Sequence, residues 1–138
     1  MNSIYIGILC LLLAVLPAKA DMDNLIASIR SCHESNPIAA GEFEKFTKDK
    51  NAEFGDDFKC HVKCVLEKEN AFKNGKFDDQ AFVKFSLELP EWKNRQNDLQ
   101  KAADECKNEK GANECDLAYN VAKCLVDRNV IVVVANKM

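Results

Sequence analysis

The chain has 138 residues, 47% of them hydrophobic, and 19 Lys and Arg against 22 Asp and Glu give a formal net charge of −3. That length suits one domain able to bury a core of its own. Both signs of charge are interspersed along the chain, which excludes the basic patch of a nucleic-acid-binding protein.

In chain order, Ile4 to Leu16 is an almost wholly apolar run, followed by Pro17 and the small-x-small triplet Ala18-Lys19-Ala20. This pattern predicts a secretory signal peptide over residues 1–20, although Met1-Asn2-Ser3 lacks the usual positive charge. The run is too short to cross a bilayer core, which needs about 20 residues. Cleavage after Ala20 would leave a domain over 21–138, one unit more negative because Lys19 is lost. No second long apolar run follows, so membrane insertion is not expected.

Helical periodicity punctuated by turn signals then recurs. Leu25, Ile29 and Cys32 give a first helix over about 23–34, broken by Asn36-Pro37. Phe43 and Phe46 mark a short second helix ending near the polar run 48–51, and Gly55-Asp56-Asp57 opens a third with Phe58, Val62, Val65 and Leu66. After the turn Asn74-Gly75-Lys76, Asp78 fits the N-cap of a fourth helix, with Phe77 and Phe82 placed as a hydrophobic staple. Phe82, Phe85 and Leu89 form its stripe, and Pro90 stops it. A fifth helix is expected over about 91–108 with Trp92, Gln96, Leu99, Ala103 and Cys106 on one line, and Gly111 ends the connection that follows. A sixth, over about 113–128, is apolar over most of its girth (Leu117, Ala118, Val121, Ala122, Leu125 and Val126), as befits a helix at the centre of its domain. Strand signals are nearly absent, so the fold class is all-α.

Cys10 falls within the leader, which leaves Cys32, Cys60, Cys64, Cys106, Cys115 and Cys124. An even number of cysteines in an exported chain points to three disulfides. Zinc would want C-x₂-C pairs, and none occurs; no metal or cofactor is expected. Cys60 and Cys64 lie one helical turn apart with roughly parallel Cβ bonds, so each should tie its helix to a different partner. Cys115 and Cys124 fall on opposite faces of the sixth helix. Several of the fifteen possible pairings remain open on this geometry.

One cysteine, then C-x₃-C, then one, then C-x₈-C resembles the insect odorant-binding proteins of the pheromone- and general-odorant-binding family. The stretches Lys59-Cys60-His61-Val62-Lys63-Cys64-Val65-Leu66-Glu67 and Asn74-Gly75-Lys76-Phe77 are similar to it as well. The resemblance implies the pairs Cys32–Cys64, Cys60–Cys115 and Cys106–Cys124, and a six-helix disulfide-stapled bundle around an internal hydrophobic cavity. It also implies a secreted, extracellular carrier of small hydrophobic molecules of the odorant or pheromone type. A membrane chemoreceptor is then a candidate partner.

Candidate ligand-binding residues lie on the apolar helix faces: Val62, Leu66, Phe82, Phe85, Trp92, Leu99, Ala118, Val121 and Ala122. From sequence, a packed core and a cavity wall look the same at these positions. Val130 to Val134 are five consecutive β-branched residues, an aggregation hazard if exposed. The tail is therefore expected to fold back so that Ile131, Val132 and Val133 close the cavity, with a homodimer interface as the alternative. Ser86, Gln96 and Tyr119 are candidate hydrogen-bond donors to a ligand. His33 and His61 read as surface histidines, with a pH-triggered release as the competing role. No enzyme is expected, because neither G-x-S-x-G nor H-E-x-x-H occurs. A secreted helical interaction protein and a non-olfactory lipid or hormone carrier are the competing functions on this scaffold.

Overall fold

The computed structural model describes residues 23–130. Six α-helices carry the fold: α1 over 23–35, α2 Glu42–Lys48, α3 Asp56–Lys68, α4 Asp79–Leu87, α5 Gln96–Cys106 and α6 Glu114–Asp127. The expected all-α architecture is present. The predicted leader over 1–20 lies outside the described residues.

Local chemistry sets several of the boundaries. Asp78 caps α4 by accepting from the Ala81 amide, and Asn113 caps α6 by accepting from the Asp116 amide, which satisfies N–H groups that have no partner within the helix. Phe77 and Phe82 pack at 5.7 Å as the staple before α4. At the other ends, α3 and α6 finish in the same way. Asn70 and Asn129 take positive φ, +62° and +57°. The Ala71 and Val130 amides then bond back to Leu66 and Leu125 carbonyls, the paired-bond ending that accompanies a left-handed residue after a helix. Each ending turns the next side chain inward, and Ala71 and Val130 are both buried.

Two details differ from the sequence reading. The Asn74-Gly75 turn joins a small antiparallel hairpin, β1 Phe72–Lys73 and β2 Lys76–Phe77, in the register Phe72↔Phe77. Both turn residues have positive φ, which suits the tight two-residue loop that Asn-Gly favours. The fifth helix does not run from 91. A 3₁₀ turn over Pro90–Trp92 comes first, and α5 starts at Gln96. Pro90 enters that turn at its first position and Arg95 adopts non-helical backbone. The break lets Trp92 bury under the Arg95 guanidinium, 4.6 Å from its ring, while Gln96 faces outward.

Among α2 to α6 and the hairpin, the most extensive packing is between α3 and α6, with α5 and β2 also against α6 and α4 against α5. Cys32–Cys64 ties α1 to α3, Cys60–Cys115 ties α3 to α6, and Cys106–Cys124 ties α5 to α6. These are the pairs the resemblance implied. Ion pairs Lys59–Asp116 at 3.1 Å and Lys63–Glu114 at 2.8 Å flank the middle bridge. Gly111 lies so close to α6 that a Cβ there would run into the Leu117 backbone nitrogen. Gly111→Ala should therefore cost about 1–3 kcal/mol, read as a fall in the urea midpoint; an unchanged midpoint would contradict this packing.

Candidate functional site

A hollow of about 120 Å³ lies among α1, α2, α3 and α4, with single contributions from α6 and the two helix endings. Its wall is a set of helical stripes. Val62, Val65 and Leu66 on α3 and Glu69 at its C-cap repeat at i, i+3, i+4, i+7, and α4 presents Phe82, Phe85 and Ser86 with Leu89 one turn on. Leu25 and Ile29 come from α1, and Phe43, Phe46 and Thr47 from α2. Ala122, Ala71 and Val130 complete it. Residues with these spacings share one face of a helix, so each stripe turns its side chains to a single space.

Of the candidate ligand contacts, Val62, Leu66, Phe82, Phe85 and Ala122 meet here. Trp92, Leu99, Ala118 and Val121 do not reach it. All four are buried, Leu99, Ala118 and Val121 completely, within the solid part of the core. Ile131, Val132 and Val133 lie outside the described residues, although Val130, where their run begins, is 2% exposed and forms part of the wall. Of the three polar candidates only Ser86 lines the hollow. Gln96 is exposed at the start of α5, and Tyr119 lines a separate, more polar cleft of about 100 Å³ with Asp49, Lys50 and Lys123. Leu25, Ile29, Phe43, Phe46, Val65, Glu69 and Ala71 were not singled out as ligand contacts. The stripe periodicity would have found Val65 and Glu69; Ala71 depends on the turn at Asn70.

Behind Phe43 and Phe46 stands an aromatic cluster. Phe58 is its hub, stacked on Phe54 at 4.3 Å and edge-on to Phe46 at 5.2 Å and Phe43 at 5.8 Å. Phe43 also meets the His61 ring at 5.3 Å. His61 is not a surface residue: it is fully buried, with Nδ1 3.1 Å from the Asn36 carbonyl. His33 is the exposed one, and its Nδ1 accepts from the Ile38 amide.

Burial pushes the His61 pKa below its ordinary 6.5, opposed mainly by the Asn36 and Cys32 carbonyls. A lowered folded pKa means the unfolded chain binds this proton first as the pH drops. The stabilisation is then complete above about 6.5 and is lost as the pH falls below that value towards the folded pKa. Thermal melts at pH 7.5 and 5.5 should show a smaller loss of Tm for His61→Gln than for the parent chain. Equal losses would remove His61 as the source.

Among the described residues no group of His, Cys, Asp or Glu could hold a metal ion, and no helix is long and apolar enough to cross a membrane.

The PBP/GOBP family model matches residues 18–128. Among solved structures the fold is similar to odorant binding protein 4 of Chrysopa pallens, at 27% identity and TM-score 0.68 over 81% of this chain and 92% of that one. It is also similar to odorant binding protein 5 of Apis mellifera, at 22% and 0.67 over 82% and 92%. A third similar structure is the fatty acid binding protein OBP56a from the oral disk of the blowfly Phormia regina, at 22% and 0.59 over 78% and 90%. No curated protein sequence matches significantly. With its family match running through all six bridged cysteines, the chain belongs to the PBP/GOBP family.

Proposed function

We propose that this protein is a secreted carrier that binds and solubilises small hydrophobic ligands of the odorant or pheromone type in the hollow between α3 and α4. The observation that carries this reading is an almost wholly apolar hollow of about 120 Å³ in a small fold with three cross-links. Unfilled volume forfeits packing energy, and the disulfides help to offset that cost by restricting the unfolded chain. An apolar pocket with few polar groups is the usual form of a small-molecule site. Relatives named for odorants support cargo of this kind. Export follows from the leader expected over 1–20 and from cysteines that are all bridged in the described domain. Binding rather than catalysis is also favoured by the histidines, one buried against a carbonyl and one exposed.

Ala122 tests the reading directly. Leucine there would place three more carbon atoms in the hollow. Calorimetric titration with benzene and 1-hexanol should give saturable binding to the parent chain and at least about tenfold weaker binding to Ala122→Leu. The Tm of the variant should hold or rise, as it does when a cavity is filled. Absence of saturable binding by the parent, or undiminished binding by the variant, would overturn the assignment.

A further inference from the structure

We infer that the hollow accepts short uncharged ligands with a hydroxyl head and rejects the corresponding carboxylates, with Ser86 as the hydrogen-bonding group and Glu69 as the charge that repels anions. This rests on the carrier reading and narrows its cargo.

Size comes first. An engineered apolar cavity of about 150 Å³ takes benzene, so about 120 Å³ suits a body of roughly six carbon atoms.

Polarity comes next. Among the described residues three polar side chains line the hollow: Thr47, Glu69 and Ser86. The Thr47 hydroxyl already donates to the Glu44 carbonyl at 3.0 Å. Ser86 is 3% exposed, and its hydroxyl makes no hydrogen bond among the described residues. On the wall of an otherwise apolar space, that hydroxyl is free to pair with the polar head of a ligand.

Charge sets the sign of the selection. Among the described residues no Lys, Arg or His lines the hollow, and Glu69 is the one charged group there. The Ser28 hydroxyl holds the Glu69 carboxylate at 2.7 Å, and no described cation forms an ion pair with it. Helices α3, α4 and α6 all end here: Glu69 is the C-cap of α3, Ser86 lies in the last turn of α4, and Val130 follows α6. Helix C-termini carry partial negative charge. A carboxylate entering this space would lose its hydration, meet like charge from several directions and find no counter-ion among the described residues. A hydroxyl meets none of these penalties.

Calorimetry at pH 7.5 with benzene, 1-hexanol and hexanoate tests the inference. Hexanoate should bind at least about tenfold more weakly than 1-hexanol. Glu69→Lys should shift that ratio at least about tenfold towards hexanoate, and Glu69→Gln should shift it in the same direction by less. Ser86→Ala should weaken 1-hexanol about three- to tenfold and leave benzene unchanged. Equal affinity for 1-hexanol and hexanoate, a ratio unmoved by both Glu69 variants, or 1-hexanol binding unaffected by Ser86→Ala would overturn it. If benzene binds but the heads are not discriminated, only this inference falls; if none of the three binds, the carrier reading falls with it.

Discussion

Replacing Cys60 and Cys115 together by alanine should cost about 2–5 kcal/mol of stability, more than the same change at Cys106 and Cys124. The first bridge closes a loop with a sequence separation of 55 and the second one of 18. Loop-closure entropy rises with the logarithm of loop length, which makes the difference between them about 1 kcal/mol. Native contacts push the same way. Cys60–Cys115 joins α3 to α6, the most extensively packed pair among α2 to α6, and α3 supplies three residues to the wall of the hollow. The Lys59–Asp116 and Lys63–Glu114 pairs remain beside the lost bridge. They are partly exposed, and such pairs contribute about 1 kcal/mol or less, so they can preserve the alignment of the helices without replacing the covalent tie. The expected result is a helical far-ultraviolet spectrum close to that of the parent and a Tm lower by at least about 10 °C. A Cys106→Ala/Cys124→Ala chain that melts below the Cys60→Ala/Cys115→Ala chain would reverse the ranking and place the weight of the fold on α5 and α6 instead.

The helices were legible because their signals are local. Asp78 and Asn113 are caps written in single residues, and both accept the bond their position calls for. The breadth of apolar residues on α6 announced a central helix, and six of its side chains are buried. The failures have the opposite character. Nothing in the local pattern separates a helix beginning at 91 from a 3₁₀ turn followed by a helix, because the break depends on where Trp92 finds a pocket and where Arg95 can cover it. His61 looks like any polar residue on an amphipathic helix. Only the placement of Phe43 and of the Asn36 carbonyl against α3 makes it interior.

The site was legible in azimuth and not in depth. Ala118 and Ala122 share one face of α6, a single turn apart, yet Ala122 lines the hollow and Ala118 is sealed inside the core. Periodicity reports which way a side chain points; the distance to the facing helix decides whether it meets a wall or a space. Glu69 illustrates the converse. It continues the α3 stripe of Val62, Val65 and Leu66, but its charge takes it out of any list built on hydrophobicity. A positional rule that ignored residue type would have included it, and with it the group that sets the sign of the hollow.

Phe58→Ala should be the most damaging single substitution, at about 3–5 kcal/mol. Phe58 is 2% exposed and touches four other aromatic rings, those of Phe43, Phe46, Phe54 and Tyr119. Removing the ring sacrifices both the buried apolar area and the edge and stacking geometry that adds about 0.5–1.5 kcal/mol per aromatic pair. The consequence extends to the hollow, because Phe43 and Phe46 present one side to Phe58 and form part of the wall. Without their backing these two rings can swing into the void, so the loss in 1-hexanol affinity should accompany the loss in stability. Phe54→Ala makes the informative comparison. Phe54 stacks on the same ring but is partly exposed and does not line the hollow. It should cost less in the urea midpoint and leave 1-hexanol affinity within about twofold of the parent. Equal effects of the two substitutions on affinity would mean that the cluster acts only through global stability and does not shape the wall.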